Sequence, residues 1–123
     1  MKEEDREITV LGETWNLDFL DYGEDPAFEL SDGFVCETSR IIKIQKVGTA
    51  PKESEKLAFG ITDEKLNQER VVRHEIIHAF LYESGLGESA LETSSWATNE
   101  EMVDWFARQG PKIFKVYKEL GIA

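Results

Sequence analysis

The chain has 123 residues, and its 25 Asp and Glu against 14 Lys and Arg give a formal net charge of −11. That length supports one domain, residues 1–123, with one modest core, and a 41% hydrophobic content argues against disorder. The acidic balance excludes nucleic acid as a main ligand and disfavours an anionic membrane surface, because both need clustered Lys and Arg.

The sequence also bears on the cellular setting. No apolar run approaches the about 20 residues of a membrane-spanning helix. Residues 1–7 are mostly charged and carry no apolar signal-peptide segment, so we expect a cytoplasmic protein. Cys36 is the single cysteine, which excludes a disulfide framework within the chain and a cysteine-based zinc finger. The oligomeric state stays open.

The first half of the chain predicts β-strands. Apolar and polar residues alternate at 8–10 and again at 15–19, with a glycine turn between the two segments. After a polar stretch broken by Gly and Pro, residues 34–36 and 41–44 predict a second hairpin. Residues 47–60 are rich in Lys and Glu without clear periodicity, and we interpret them as a loop.

The second half predicts helices. Residues 65–84 contain neither Gly nor Pro, follow Thr62 and Asp63 as candidate N-caps, and stop before Gly85. The second part of this segment has few polar faces, which is typical of a helix at the centre of a fold.

Two more helices are predicted after a Ser/Thr-rich connection. Residues 98–101 resemble a capping box that opens a helix through Gln109. Gly110 and Pro111 are expected to end it, and Pro111 to begin a last short helix through Leu120. The sequence therefore predicts an α+β fold, with a small antiparallel sheet packed on a buried helix and two further C-terminal helices.

The only two histidines of the chain lie four residues apart on the predicted central helix. His74, Glu75 and His78 form an HExxH motif, and the i, i+4 spacing places both imidazoles on one helix face, where they can converge on one Zn²⁺. Glu75 projects beside the metal and can accept a proton from water. Chance placement in a chain of this composition gives the motif roughly twice in a thousand sequences. The simpler alternative is a pair of solvated or core histidines.

A catalytic zinc site needs a third protein ligand and an open position. Cys36 is one candidate, but it lies on a predicted strand, so a carboxylate from the following helix is favoured. Glu100 and Asp104 share one helix face, so Glu100 can bind the metal while Asp104 accepts the second ring N–H of a zinc-bound histidine. Glu101 lies about 100° around the helix and is expected to be solvated.

The HExxH motif followed about twenty residues later by Asn-Glu-x-x-x-Asp resembles the gluzincin pattern of thermolysin-type zinc peptidases. The short spacing is similar to that of minimal gluzincins, including the ImmA/IrrE-type peptidases often carried by phages and integrative elements. The stretch from Glu100 to Ala107 resembles their Glu-x-x-Ala-Asn-x-Phe-Ala segment, with Val103 and Asp104 in place of Ala and Asn. The resemblance covers mainly residues 70–109.

This resemblance implies zinc bound by His74, His78 and Glu100, with Glu75 as general base. It also implies a sheet above the active-site helix, with substrate main chain paired to the strand at residues 40–45. Tyr82, one turn beyond His78, is a candidate to stabilise the oxyanion. The other oxyanion candidates are Arg73, Tyr22 and Tyr117.

Two hypotheses of different classes follow. The leading one is a zinc-dependent endopeptidase that acts on a cytoplasmic protein or peptide substrate. The alternative is a non-catalytic acidic interaction protein with a structural or vestigial zinc site. Glu75 favours the enzyme, because a structural site does not need a carboxylate at that position.

Overall fold

A computed structural model of the chain describes residues 1–51, 64–87 and 96–123. The strands are β1 (Arg6–Val10), β2 (Glu13–Leu20), β3 (Gly33–Cys36) and β4 (Ile41–Gln45), and the helices are α1 (Glu64–Glu83) and α2 (Glu100–Glu119). Single 3₁₀ turns occur at Tyr22–Glu24, Pro26–Glu29 and Trp96–Thr98. The α+β class is confirmed. The N-cap candidates Thr62 and Asp63, and most of the predicted loop at 47–60, lie outside the described residues.

The four strands form one sheet in the order β1-β2-β4-β3. β1 pairs with β2 and β3 with β4 in antiparallel hairpins, but β2 and β4 run parallel. The prediction of an antiparallel sheet is therefore wrong at this central pair. The two hairpins join through their second strands, β2 and β4, and these two strands run in the same direction.

The core lies between the sheet and α1. Because side chains alternate between the two faces of a strand, β2 turns Trp15, Leu17 and Phe19 toward α1, and all three are buried. The buried core cluster contains Val10, Trp15, Leu17, Phe19, Ile42, Ile44, Val72 and Ala79. Each fully buried aliphatic or aromatic side chain of this size contributes about 1.5–3 kcal/mol of transfer free energy.

Helix α1 ends as its glycine predicts. Gly85 has a φ of 82°, a left-handed conformation that a residue with a Cβ rarely adopts. The N–H of Gly85 donates to the carbonyl of Tyr82 and the N–H of Leu86 to that of Leu81. These two bonds form a Schellman motif, which satisfies carbonyls that the last helical turn leaves free.

The two predicted C-terminal helices are one helix, α2, with Pro111 inside it. In a regular helix the N–H of residue 111 would donate to the carbonyl of Ala107, but Pro111 has no N–H, so this hydrogen bond is missing. Arg73 of α1 supplies a replacement, since its Nε donates to the Ala107 oxygen at 3.2 Å. This contact between helices explains why the proline does not end α2.

The start of α2 also differs from the prediction. Asn99 rather than Thr98 is the N-cap, and its side chain accepts a hydrogen bond from the N–H of Met102. This phase sets which residues of α2 face α1. Val103 and Ala107 are buried, and Glu100 and Asp104 lie beside them. None of the described helices is long and apolar enough to cross a membrane.

Candidate metal centre and catalytic cleft

The two histidines lie on the side of α1 that faces the start of α2. His78 is 6% exposed, and the side chain of His74 is 16% exposed. Their Nε2 atoms are 3.1 Å apart, because one helical turn separates the two residues and both rings turn toward the same point. The spacing read from the sequence therefore does bring the two imidazoles together.

Glu100 joins the two histidines from the first turn of α2. One carboxylate oxygen lies 2.9 Å from His74 Nε2, and the other lies 3.1 Å from His78 Nε2. In a tetrahedral zinc site with ligands at 2.0–2.1 Å, neighbouring donor atoms are about 3.3 Å apart. The 3.1 Å between the two Nε2 atoms is close to this value, and each nitrogen has a Glu100 oxygen at a similar distance, so the three side chains could hold a zinc ion after a small outward movement.

The opposite ring nitrogens show which proton each histidine carries. Nδ1 of His78 contacts the carbonyl oxygen of Ala97, and a carbonyl oxygen can only accept a hydrogen bond, so Nδ1 holds the proton. Nδ1 of His74 lies 3.5 Å from one carboxylate oxygen of Asp104, while the other oxygen accepts a hydrogen bond from Arg108 Nε at 2.7 Å, so Asp104 favours the same tautomer through its charge and not through a close hydrogen bond.

Both Nε2 atoms then present lone pairs toward the Glu100 carboxylate. Burial lowers the pKa of His78, the largest of several effects on it, so this imidazole is neutral at pH 7. With neither Nε2 protonated, the three groups that point at one another only accept hydrogen bonds, and a metal ion or a shared proton between them would remove their repulsion. Two imidazole nitrogens and a carboxylate oxygen are donors that suit Zn²⁺.

Glu75 is buried beside this group. Glu75 and the two histidines form a group whose possible ligand atoms all lie within 4.8 Å of one another, so Glu75 is itself a candidate ligand. Glu100 contacts both histidine nitrogens, at 2.9 and 3.1 Å, and we therefore favour it as the third ligand. Burial raises the pKa of the Glu75 carboxyl to about 7, with a smaller raising effect from Glu100 and a lowering effect from His74. A divalent cation at the centre lowers that pKa again.

Gly33 of β3 allows this placement of Glu75. A Cβ on Gly33 would lie 2.7 Å from Val71 Cγ1 and 3.3 Å from Glu75 Cγ. Any larger residue would push β3 away from α1. Gly33 was not predicted as a site residue, because an isolated glycine at a strand start is also a common turn signal.

His78, Glu75 and Glu100 line one side of a cleft of about 310 Å³. Gly33, Phe34 and Val35 of β3 form one wall, and Glu75, His78 and Tyr82 of α1 form the other with Glu100. The Glu100 side chain is 72% exposed, so the cleft is open to solvent at the metal centre.

The strand beside this cleft is β3, the edge strand of the sheet. The expectation that residues 40–45 provide the free edge is wrong, because β4 lies between β2 and β3 and is paired on both sides. Hairpin order is set by long-range pairing, which the alternation of residues within each strand does not reveal.

Tyr82 is the one oxyanion candidate that lines the cleft. Its ring stacks on His78 with centroids 6.2 Å apart, and burial raises the pKa of its hydroxyl. Arg73 is used in the contact with Ala107, Tyr22 lies in a 3₁₀ turn, and Tyr117 is exposed near the end of α2.

Two other residues weighed as ligands lie outside the group. Cys36 is at the end of β3, and among the described residues it does not cluster with the histidines. Glu101 is exposed and borders a different cavity, with Met102 and Trp105. The carbonyl of Ala97, which fixes the His78 tautomer, was not predicted, since main-chain oxygens leave no signal in a sequence.

Comparisons with protein-family models, with curated proteins and with solved structures found no match. The function of the site is therefore inferred from its donor atoms, its buried carboxylate and its cleft.

Proposed function

We propose that the chain is a zinc-dependent endopeptidase, with His74, His78 and Glu100 as metal ligands and Glu75 as general base. One observation carries this proposal: two imidazole lone pairs and a carboxylate converge at 2.9–3.1 Å beside a buried carboxylate, at one end of an open cleft. Asp104 contacts the outer nitrogen of His74 and would hold that ring in its metal-binding tautomer.

The donor set supports a catalytic site over a structural one. Structural zinc sites are closed by four protein ligands, whereas catalytic sites have three and keep one position for water or substrate. Glu100 contacts the two histidine nitrogens at 2.9 and 3.1 Å and would be the third ligand, while Glu75, whose ligand atom lies within 4.8 Å of theirs, would stay free to act as the base. A position kept for water or substrate would open to the cleft that Glu75, His78 and Glu100 line.

Each residue then has a chemical role. A bound zinc ion supplies Lewis-acid activation of water and of the peptide carbonyl. Glu75 takes the proton of the attacking water at its carboxylate and gives it to the leaving amine when the C–N bond breaks. Tyr82 is placed to donate a hydrogen bond to the developing oxyanion from the cleft wall.

The edge strand supports a peptide as the substrate. Among the described strands β3 pairs only with β4, which leaves its other edge beside the proposed metal centre, and an extended peptide can add to such an edge through main-chain hydrogen bonds. An extended main chain is recognised in this way with few side-chain contacts, which suits the short β3. We also propose a protein substrate in the cytoplasm, which the free thiol of Cys36 supports.

Glu75→Gln tests the proposal by separating metal binding from hydrolysis. The amide has nearly the same shape, keeps its place outside the metal ligands and cannot act as a base, so we expect unchanged zinc content and at least about 100-fold slower cleavage. Cleavage is measured on a degenerate synthetic peptide library by mass spectrometry. Glu69→Gln, a partly exposed residue of the same helix, is the matched control and should cleave normally.

Two results would contradict the proposal. Cleavage by Glu75→Gln at the wild-type rate would exclude Glu75 as the base. Zinc-loaded wild-type protein that cleaves nothing in the library would instead favour the acidic interaction protein with a structural or vestigial zinc site.

A further inference from the structure

A second cavity continues from the catalytic cleft. It has a volume of about 330 Å³ and is lined by Trp15, Glu37, Arg40, Tyr82 and Glu83, with Gly85 at the end of α1. Tyr82 lines both cavities, so the second cavity adjoins the α1 wall of the catalytic cleft at this residue. A peptide that leaves the metal centre along β3 would enter it.

Strand β3 leads directly to this cavity. Gly33 and Val35 border the catalytic cleft, and Glu37 follows Val35 by two residues, a distance of about 7 Å along an extended chain. The Glu37 carboxylate lies 3.5 Å from the position of a Cβ on Gly87, next to the Tyr82 ring. A substrate side chain about two residues from the cleaved bond would therefore meet Glu37.

The other charges of the cavity neutralise one another. Arg40 Nε contacts Glu83 Oε1 at 2.6 Å and its Nη2 contacts Oε2 at 3.4 Å, so the guanidinium engages both carboxylate oxygens. Trp15 Nε1 donates to the same Oε1 at 2.9 Å. Because Arg40 and Glu83 are paired in this way, neither offers a free charge to a ligand.

Glu37 is different. Among the described residues, no cation and no hydrogen-bond donor contacts its carboxylate, and it is exposed at the cavity mouth. The cavity also lies at the C-terminal end of α1, where the helix dipole places partial negative charge. Glu37 and the helix end thus both favour a positive charge, and the part of Tyr82 that lines the cavity can contact the aliphatic stem of a long basic side chain.

We propose that this cavity selects a Lys or Arg side chain of the substrate, about two residues from the cleaved bond, and that Glu37 is the residue that recognises it. The inference rests on the proposed endopeptidase activity and names the class of peptide that the site accepts. The net charge of −11 acts in the same direction, because it raises the local concentration of basic peptides.

The test begins with the cleavage sites in the degenerate library, which identify the preferred bond. Internally quenched peptides built around that bond then carry Arg, Gln or Glu at each of the three positions on either side. For wild-type protein we expect kcat/KM for the Arg peptide to exceed that for the Gln peptide by about fivefold at one position, the upper range for a solvent-exposed ion pair. The Glu peptide should be the poorest.

Variants at Glu37 assign the preference to this residue. Glu37→Gln should remove the difference between the Arg and Gln peptides, and Glu37→Lys should reverse the order so that the Glu peptide is best. Glu7→Gln, on the opposite edge strand β1, makes the same charge change and should keep the wild-type preference. Equal folding of the variants is checked by their melting temperatures.

Binding gives a second readout that does not depend on turnover. In the Glu75→Gln background the peptides stay intact, and calorimetry should show the Arg peptide binding about fivefold more tightly than the Gln peptide. Adding Glu37→Gln should abolish that difference. A basic preference that survives Glu37→Gln, or no basic preference at any position, would overturn the inference and leave the endopeptidase activity standing. If zinc-loaded wild-type protein cleaves nothing, the proposed function fails and the inference fails with it.

Discussion

Replacing Glu100 by Ala should remove most of the stabilisation that zinc gives the fold. The proposed ligands come from two helices, His74 and His78 from α1 and Glu100 from α2, so zinc would bind only the folded protein and would tie the helices together. A ligand that binds only the native state at 100 times its Kd stabilises it by about 2.7 kcal/mol.

That free energy converts into a melting temperature. Globular proteins unfold with an entropy of about 2.1 cal/mol/K per residue, or about 0.26 kcal/mol/K for a chain of this length. Zinc should therefore raise the melting temperature of wild-type protein by about 10 °C. Removing a residue that only supports a metal ligand weakens metal binding by up to about 100-fold, so removing a ligand itself should weaken zinc binding at least that much. At the same zinc concentration, the stabilisation by zinc then falls to about 0.4 kcal/mol. The shift for Glu100→Ala should then be about 2 °C.

The assay is differential scanning calorimetry of each variant with a chelator and with added zinc, so that each protein is its own reference. Glu101→Ala is the matched control, since it removes the same charge from the same helical turn at an exposed position. Its zinc shift should equal that of wild type. A full shift in Glu100→Ala together with a lost shift in Glu101→Ala would refute the ligand assignment and mean that α2 is rotated.

Three further results are expected. Asp104→Ala should weaken zinc affinity by about 10–100-fold, measured by competition with a chromophoric chelator, and unchanged affinity would exclude its support of the metal centre. Arg73→Met should lower the free energy of unfolding, measured in urea, by about 1–3 kcal/mol, because it leaves the carbonyl of Ala107 unpaired. In a Pro111→Ala background, where residue 111 has an N–H for this carbonyl, the same change should cost less. An equal cost in both backgrounds would contradict this account of α2. Hydrogen bonds from Arg40, then from Trp15, lower the pKa of Glu83 in the folded state, so its contribution is present above about pH 4.5 and is lost as the pH falls through the folded pKa. The melting temperature of wild-type protein should therefore fall more steeply below pH 4.5 than that of Glu83→Gln, and parallel pH profiles would contradict this.

Local signals predicted the elements well. The alternation at 15–19 is part of β2, and the uninterrupted segment 65–84 matches α1 within two residues. The pairing of His74 with His78 followed from helical spacing, because residues four apart on one helix share a face. Placing Glu100 with them rested instead on the need of a catalytic zinc site for a third protein ligand. These features depend on a few neighbouring residues, so the sequence carries them directly.

Long-range features could not be predicted in the same way. The parallel pairing of β2 with β4 joins strands that are separated by a whole hairpin, and nothing in either strand specifies its neighbour. The continuation of α2 through Pro111 depends on a donor from another helix, Arg73, which helix propensities do not include.

The buried face of α1 shows a third limit. Gln68, Glu75 and His78 are buried along with Val72 and Ala79. Polar residues on the inner face hide the usual division between an apolar and a polar side. Gln68 is satisfied by the carbonyl of Gln45 and by Glu3, whereas Glu75 and His78 are turned toward the catalytic cleft. The polar residues on the inner face, two of which line the cleft, therefore blur the amphipathic pattern of the helix.

The zinc content of purified protein tests the central claim most directly. Protein from zinc-replete cells, measured by inductively coupled plasma mass spectrometry, should contain about one zinc per chain in the wild type and in Glu75→Gln, and very little in the double variant His74→Ala/His78→Ala. A wild-type protein consistently free of zinc, or a double variant that holds as much zinc as wild type, would contradict a metal centre at His74, His78 and Glu100.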